Sequence, residues 1–168
     1  MLFRSEWTMP HKNTFKIPAV AGLLRRYVSS GLWLDPFANN NASKRLLGNH
    51  VITNDINTDY NTDYNMDALE FLGRFSNVDG VIFDPPYSVE QCLRRYTPIQ
   101  NGTAGRAEYW AKCKDKIAQI TNRGATVISF AWDSTGMGKN RGFEIVEIKL
   151  LCHGACHNDT FEIGRAHV

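Results

Sequence analysis

The chain has 168 residues, of which 43% are hydrophobic, and its formal net charge is only +2. This length suits one domain with a substantial core, and no run of eighteen apolar residues predicts a membrane span. No signal peptide is visible and the four cysteines show no paired C-x-x-C spacing, so we expect a cytoplasmic protein with reduced thiols.

Apolar residues at helical spacing predict a first helix over residues 14–27, with Pro18 in its first turn and Gly31 closing it. The later elements are short and are separated by polar or turn-forming residues. In chain order they are a strand at 32–35, a helix at 43–47, a strand at 51–52, a helix at 68–75, a strand at 78–83, a helix at 109–122, and strands at 125–130, 142–151 and 160–163. Gly124 is expected to close the helix at 109–122.

Strands and helices alternate over most of the chain, a pattern typical of an α/β domain with a mainly parallel sheet. The strand at 160–163 is expected to pair antiparallel with the strand before it. The segment Thr58 to Asn65 contains two copies of the four residues Thr-Asp-Tyr-Asn. Two copies are too few for a solenoid, so this segment is predicted to be a polar loop.

The most informative motif is Asp84-Pro85-Pro86-Tyr87, which directly follows the apolar strand at 78–83. Two prolines fix φ, donate no amide hydrogen bond and hold the residue before each of them extended. The strand end therefore presents a carboxylate, carbonyl oxygens and an aromatic face rigidly. A nucleobase suits this set, because its ring stacks on Tyr87 while its exocyclic amine donates to Asp84 and a proline carbonyl. The alternative is a proline-rich turn that ends a core strand.

Two further acids follow the first two predicted strands. The first strand ends in Asp35-Pro36-Phe37-Ala38, and the next residues are Asn39-Asn40-Asn41. Asparagine tolerates left-handed backbone better than other non-glycine residues, so a tight turn remains possible there. Asp55 lies 20 residues after Asp35 at the end of the second strand, where nucleotide-binding folds hold ribose hydroxyls.

Together these motifs resemble the amino-methyltransferases, a family with a D-P-P-Y tetrad that methylates adenine N6 or cytosine N4 from S-adenosylmethionine. The chain is similar to a small, phage-like member of that family. The resemblance implies a three-layer Rossmann-like fold with a mostly parallel sheet and a C-terminal antiparallel hairpin. It also implies an adenine-specific DNA methyltransferase with S-adenosylmethionine as cofactor. The catalytic residues that it assigns are Asp84, Pro85, Pro86 and Tyr87.

The same resemblance assigns the cofactor contacts. The cofactor turn, where the family usually has glycines after the alanine, is matched by Asp35, Pro36, Phe37, Ala38 and Asn39. Asp55 takes the cofactor's ribose, and Asp67 matches an acid near its adenine amine, with a helix N-cap as the alternative reading of Asp67. Thr14 and Phe15 match an N-terminal motif near the methionine moiety, with a capped core helix as the alternative.

Three other activities stay open at this point. Cytosine N4 and RNA adenine are alternative targets, and a catalytically inactive nucleic-acid-binding module of the same fold is a third possibility. Related tetrads with asparagine in place of aspartate serve enzymes that methylate protein amides, so Asp84 favours a nucleobase amine, and adenine modestly over cytosine.

The uneven distribution of charge suggests DNA as the partner. Seven acids and one base lie between Thr53 and Asp84, whereas nine bases and three acids lie between Gln91 and Arg141. A basic segment beside the tetrad suits a phosphate backbone, in single-stranded DNA or a short duplex site, although a solvated helix face is the alternative. No separate recognition domain fits the chain. Target recognition is therefore expected from residues 88–109, from the loop after Trp132, from a specificity partner or from a homodimer.

The remaining segments are predicted to have no role in catalysis or cofactor binding. Cysteine and histidine alternate with small residues between Cys152 and His157, but no second ligand pair accompanies them, so no metal site is predicted. Residues 1–5 and 163–168 resemble translated sequencing adaptors, so both are expected to be non-native tails around a single domain at 6–162.

Overall fold

The computed structural model describes residues 1–9, 11, 13–28, 30–86, 102–131, 134–138, 140–152 and 160–167. The strands are β1 (Leu2–Trp7), β2 (Trp33–Asp35), β3 (Val51–Thr53), β4 (Val78–Phe83), β5 (Thr121–Ala131), β6 (Phe143–Cys152) and β7 (Thr160–His167). The helices are a 3-10 turn at Thr14–Lys16, α1 (Pro18–Tyr27), α2 (Ala42–Leu47), α3 (Ala68–Leu72) and α4 (Gly102–Ile120). No helix in these ranges is long and apolar enough to cross a membrane.

In the described part of the chain the strands form one seven-stranded sheet in the order β1-β6-β7-β5-β4-β2-β3. β7 runs antiparallel to both of its neighbours, β5 and β6, and the other pairs are parallel. This confirms the predicted α/β fold with a C-terminal antiparallel hairpin. The chain moves outward from β2 to β3 and then returns to the other side of β2 with β4. A reversal of this kind creates a crevice at the carboxyl ends of the strands, which is the usual ligand position in open α/β sheets.

Helices cover both faces of this sheet because successive strand residues point to opposite sides. On β4, Val81 packs in the core below α3 and α4, whereas its neighbour Ile82 packs with α1. Val127 and Ile128 of β5 divide in the same way. The result is a three-layer arrangement whose two cores are separated by the sheet.

The first predicted helix is divided in two. Ile17 is extended, with φ −69° and ψ 122°, which is the geometry that a following proline imposes. Pro18 then occupies the first turn of α1, as predicted. The prediction that Gly31 closes this helix was wrong, because α1 ends at Tyr27 with Val28 as its C-cap. Gly31 instead has a φ of +81° and packs against Asp79, whose carboxylate accepts the Leu32 amide.

Gly124 was also assigned to the wrong element. α4 ends at Ile120 and β5 begins at the next residue, so no loop separates them. Gly124 has a φ of +79° and lies inside β5, between Thr121 and Thr126, where the register with β4 shifts. A glycine with positive φ is typical of a strand bulge as well as of a helix end. The sequence alone did not separate these two uses.

Both segments predicted to be non-native tails occupy strand positions. Residues 2–5 belong to β1, which runs parallel to β6, and residues 163–167 belong to β7, between β5 and β6. The origin of these residues remains a prediction, while their backbone pairs within the sheet.

Replacing Gly80 of β4 with alanine is expected to lower the free energy of unfolding by about 1–3 kcal/mol, the usual cost of overpacking. A Cβ there would lie 2.5 Å from three ring atoms of buried Trp33. Urea denaturation followed by tryptophan fluorescence measures the change. Gly22→Ala is the matched control, since a Cβ on this α1 residue would meet nothing within 4 Å and alanine favours helix. A Gly80→Ala protein as stable as Gly22→Ala would contradict the packing described here.

Candidate active site

Three carboxylates converge at the carboxyl ends of β2, β3 and β4. Asp35 is the last residue of β2, Asp55 follows β3, and Asp84 directly follows β4. Asp35 is fully buried, Asp55 is nearly so, and Asp84 is partly exposed. Burial raises the pKa of Asp35, and the negative charges of Asp84 and Asp55 raise it further. The three groups lie on either side of the crevice between β2 and β4.

Asp35 has few groups to stabilise its charge. Its burial raises the pKa from the ordinary 3.8 to about 7, and the nearby hydroxyl of Ser43 and the backbone amide of Phe37 offset part of this rise. That amide donates to Oδ1 at 3.2 Å. In the described residues, Oδ2 of Asp35 and Oγ of Ser43 are both buried without a hydrogen-bond partner of regular geometry. Ser43 thus stabilises Asp35 only weakly, and a buried carboxylate oxygen without a regular hydrogen bond calls for an explanation, of which a bound ligand is one.

The turn after β2 has the backbone shape that the sequence required. Asn39 and Asn41 have φ values of 51° and 66°, so both adopt the left-handed geometry in which glycine is the usual residue. Hydrogen bonds join the turn to the residues that follow β3. The amide of Asn39 donates to Oδ2 of Asp55 at 2.9 Å, and the amide of Ala38 donates to the carbonyl of Asn54 at 2.8 Å. Asparagines therefore build the tight turn here.

A cleft of about 50 Å³ opens between this turn, the end of β4 and the 3-10 turn before α1. It is lined by Asn13, Thr14, Phe15, Phe37, Ala38, Asn39, Ala42 and Asp84. Six of these eight residues were predicted from the sequence to bind the cofactor or act in catalysis. A cavity needs about 10–15 Å³, measured in the same way, to hold one water molecule, so the enclosed part has room for a few atoms of a ligand.

Asp67 has the contacts of a helix N-cap. Its Oδ1 accepts the amides of Leu69 at 2.8 Å and Glu70 at 3.3 Å, at the first turn of α3. Its Oδ2 accepts the hydroxyl of Tyr109, on α4, at 2.6 Å. The capping alternative thus describes the backbone contacts of Asp67, and its role toward an adenine amine stays a prediction.

An aromatic cluster that the sequence reasoning missed supports the turn and the tetrad from below. Phe37, Phe83 and Trp110 meet edge to face, with ring centroids 5.3–6.5 Å apart. Such pairs stabilise a core beyond their buried area. Trp110 lies on α4, beside Tyr109. The available signal was two adjacent aromatic residues at the start of the predicted helix that follows the tetrad.

The structure describes three residues of the tetrad, Asp84, Pro85 and Pro86. Pro85 is buried and Pro86 is partly buried. Tyr87 and residues 88–101 lie outside the described residues, as do Trp132 and Asp133. The stacking role of Tyr87 and the recognition role of residues 88–109 and of the loop after Trp132 therefore stay predictions.

Comparison with solved structures identifies the fold. TrmN from Thermus thermophilus aligns over 90% of this chain with a TM-score of 0.62 and 14% identity. SMU.776, named as a methyltransferase and complexed with SAH, aligns over 86% with a TM-score of 0.59 and 11% identity. A protein named as an rRNA methylase from Clostridium thermocellum aligns over 95% with a TM-score of 0.58 and 12% identity. The chain has a methyltransferase fold.

The extent of these matches differs between the proteins. The chain spans about half the length of TrmN and of SMU.776, at 49% and 48%, and all of the Clostridium protein. Neither a protein-family model nor a curated protein sequence matches the chain. At these identities the likeness concerns the fold, and the activity has to be argued from the residues of the site.

Proposed function

We propose that the chain is an S-adenosylmethionine-dependent methyltransferase that acts on the exocyclic amine of a nucleobase, with adenine N6 of DNA as the target. The observation that carries this proposal is the shared cleft. Asp84 lines the same cleft as Ala38 and Asn39 of the turn after β2. The amine that attacks and the methyl group that is transferred can meet only where the substrate site and the cofactor site join.

The charges of the cleft suit the proposed cofactor. S-adenosylmethionine carries a positive sulfonium and an ammonium group, and the acid Asp84 lines the cleft. Asp55 would hold the ribose, the turn at 35–39 would lie along the sugar and the methionine carboxylate, and Thr14 and Phe15 would contact the methionine moiety. SAH, which is bound in one of the similar structures, is the demethylated form of this cofactor. When bound, the cofactor supplies an activated methyl group.

The remaining task of the protein is alignment. Asp84 and the Pro85 carbonyl accept the two N–H groups of the target amine, which pulls its nitrogen toward tetrahedral geometry and localises the lone pair. The carboxylate of Asp84 then stabilises the positive charge that develops on the nitrogen, and a proton leaves the amine through it. Tyr87 would stack on the base. A base in duplex DNA has to flip out of the helix first.

The proposal of a nucleic-acid partner depends on the basic segment between Gln91 and Arg141. Some cations of this segment form ion pairs within the protein. Arg141 donates to Asp115 at 2.7 Å, and Lys112 pairs with Glu108 one helical turn away. The Lys112 pair lies on an exposed helix and contributes little energy, so Lys112 can still meet a phosphate, whereas Arg141 also donates to the Met137 carbonyl at 2.8 Å and is held in place. The similarity to a protein named as an rRNA methylase makes an RNA base the second candidate target. A partner protein or a homodimer would supply sequence specificity.

The decisive experiment has two steps. Calorimetry is expected to show binding of S-adenosylmethionine and SAH to the purified chain. Incubation with radiolabelled cofactor and single-stranded DNA, duplex DNA or RNA, followed by nucleoside analysis, is then expected to give N6-methyladenine from DNA. Label in RNA alone would replace the DNA target with the second candidate. A folded chain that binds neither cofactor form would overturn the proposal.

A further inference from the structure

The side chain of Asn54 joins two separate segments of the chain. Asn54 directly follows β3 and is fully buried. Its Nδ2 donates to the Pro36 carbonyl at 3.2 Å, in the turn after β2, and to the Met66 carbonyl at 3.0 Å, where the loop after β3 ends. Its Oδ1 accepts the Met66 amide at 3.1 Å. A single amide group therefore bridges the turn that lines the cleft and the loop that precedes α3.

The backbone of Asn54 holds the same turn. Its amide donates to the Asp35 carbonyl at 2.9 Å, and its carbonyl accepts the Ala38 amide at 2.8 Å. The side-chain amide of asparagine has two N–H groups and one carbonyl oxygen, and Asn54 uses all of them. An aspartate of the same shape has no second donor to offer, so the bridge depends on the amide.

The turn needs this support because part of its backbone has a less favourable geometry. Asn39 has a φ of 51°, and a non-glycine residue keeps a left-handed conformation only where its surroundings fix it. Pro36 is buried, so the loss of Asn54 would remove a hydrogen bond from its carbonyl away from water. Ala38 and Asn39 line the cleft, and a shift of the turn therefore changes the cleft itself.

We propose that Asn54 is a positioning residue that fixes the turn at 35–39 in the shape that binds S-adenosylmethionine. This inference rests on the proposed function, which places the cofactor along that turn. Asn54 is not among the described residues that line the cleft, so it acts through Pro36 and Ala38 rather than by touching a ligand. Its substitution is expected to change the affinity for the cofactor and to leave the target amine aligned at Asp84, which follows a different strand.

Asn54→Asp tests the donors, because it keeps the shape of the side chain but replaces Nδ2 with an oxygen. Calorimetry on the full chain measures the affinity for SAH, and circular dichroism checks that each sample is folded. At about pH 7.5 the ionised carboxylate repels the Pro36 and Met66 carbonyls, so SAH is expected to bind about tenfold more weakly than to the wild type. Single-turnover methyl transfer at saturating S-adenosylmethionine is expected to stay within about threefold of the wild type.

The same variant has a pH signature in its affinity. Burial beside two carbonyls raises the pKa of the introduced carboxyl group, and its protonated form again donates to one carbonyl while it accepts the Met66 amide. The affinity of Asn54→Asp for SAH, divided by that of the wild type, is therefore expected to recover by about threefold or more at about pH 5.5. A ratio that stays constant with pH would contradict the inference.

Asn122→Asp is the matched control, because it makes the same substitution at the opposite edge of the sheet. The Nδ2 of Asn122, near the start of β5, donates to the Asn77 carbonyl at 3.0 Å and to Oδ1 of Asp79 at 3.3 Å. This substitution is expected to lower the stability of the fold and to leave the affinity for SAH unchanged. If both variants weakened SAH binding equally, the effect of Asn54 would be one of general stability, and the inference would be wrong.

Asn54→Ser covers the case in which Asn54→Asp does not fold. Serine introduces no charge and retains one donor, so SAH is expected to bind about threefold more weakly than to the wild type. A folded Asn54→Ser or Asn54→Asp chain that binds SAH as tightly as the wild type would overturn the inference. A wild-type chain that binds neither SAH nor S-adenosylmethionine would instead overturn the proposed function itself.

Discussion

Asp84→Ala is expected to abolish methyl transfer while the affinity for S-adenosylmethionine stays within about threefold of the wild type. Asp84 faces the cleft from the end of β4, whereas the turn after β2 and Asp55 would hold the cofactor. Losing a group that stabilises transition-state charge typically lowers the rate by about 10²–10⁴-fold. Single-turnover transfer of labelled methyl, with calorimetry on the same sample, measures the two effects separately.

Two further variants separate charge from geometry. Asp84→Asn keeps an oxygen that accepts the target amine but loses the negative charge, so its rate is expected to fall between wild type and alanine. Asp59→Ala removes an exposed acid of the polar loop after β3 and is expected to leave the rate unchanged. Equal loss of transfer and cofactor binding in folded Asp84→Ala would show that Asp84 serves the cofactor rather than the target amine.

The strand ends were predictable because local sequence rules decide them. Prolines follow Asp35 and Asp84 directly. A strand ends at such a position because proline has no amide hydrogen to donate to the neighbouring strand. Parallel strands then bring their carboxyl ends to one edge, so the meeting of Asp35, Asp55 and Asp84 followed from strand order. The left-handed geometry of Asn39 and Asn41 was likewise an intrinsic property of asparagine.

The missed features depend on contacts between distant parts of the chain. A positive φ at glycine has several uses, and only the packing of Gly31 against Asp79 and the bulge at Gly124 show which one applies. The bond from Tyr109 to Asp67 joins two helices that share no local pattern. Pairing of Arg141 with Asp115 is equally invisible to a count of charges along the chain.

The free energy of unfolding of the wild type is expected to fall, relative to that of Asp35→Asn, as the pH rises from about 4 to about 7. The pKa of Asp35 is about 7 in the folded chain, against an ordinary 3.8, so the folded state binds more protons than the unfolded state within this window. Stability from this group is therefore fully present below about pH 4 and lost by about pH 7. A shift of about three units corresponds to about 4 kcal/mol, as an upper estimate.

Urea denaturation of both proteins between pH 4 and 8 measures this effect, because carboxylates distant from Asp35 titrate alike in each and cancel in the difference. Asp84 and Asp55 are the charged groups that raise the pKa of Asp35, so Asp84→Asn is expected to reduce the pH dependence in part. Identical pH dependence of wild type and Asp35→Asn would mean that Asp35 is ionised throughout. Its buried carboxylate would then need more stabilisation than the Ser43 hydroxyl and the Phe37 amide provide. A bound sulfonium or ammonium group would provide such stabilisation, so the slope should diminish when S-adenosylmethionine is present.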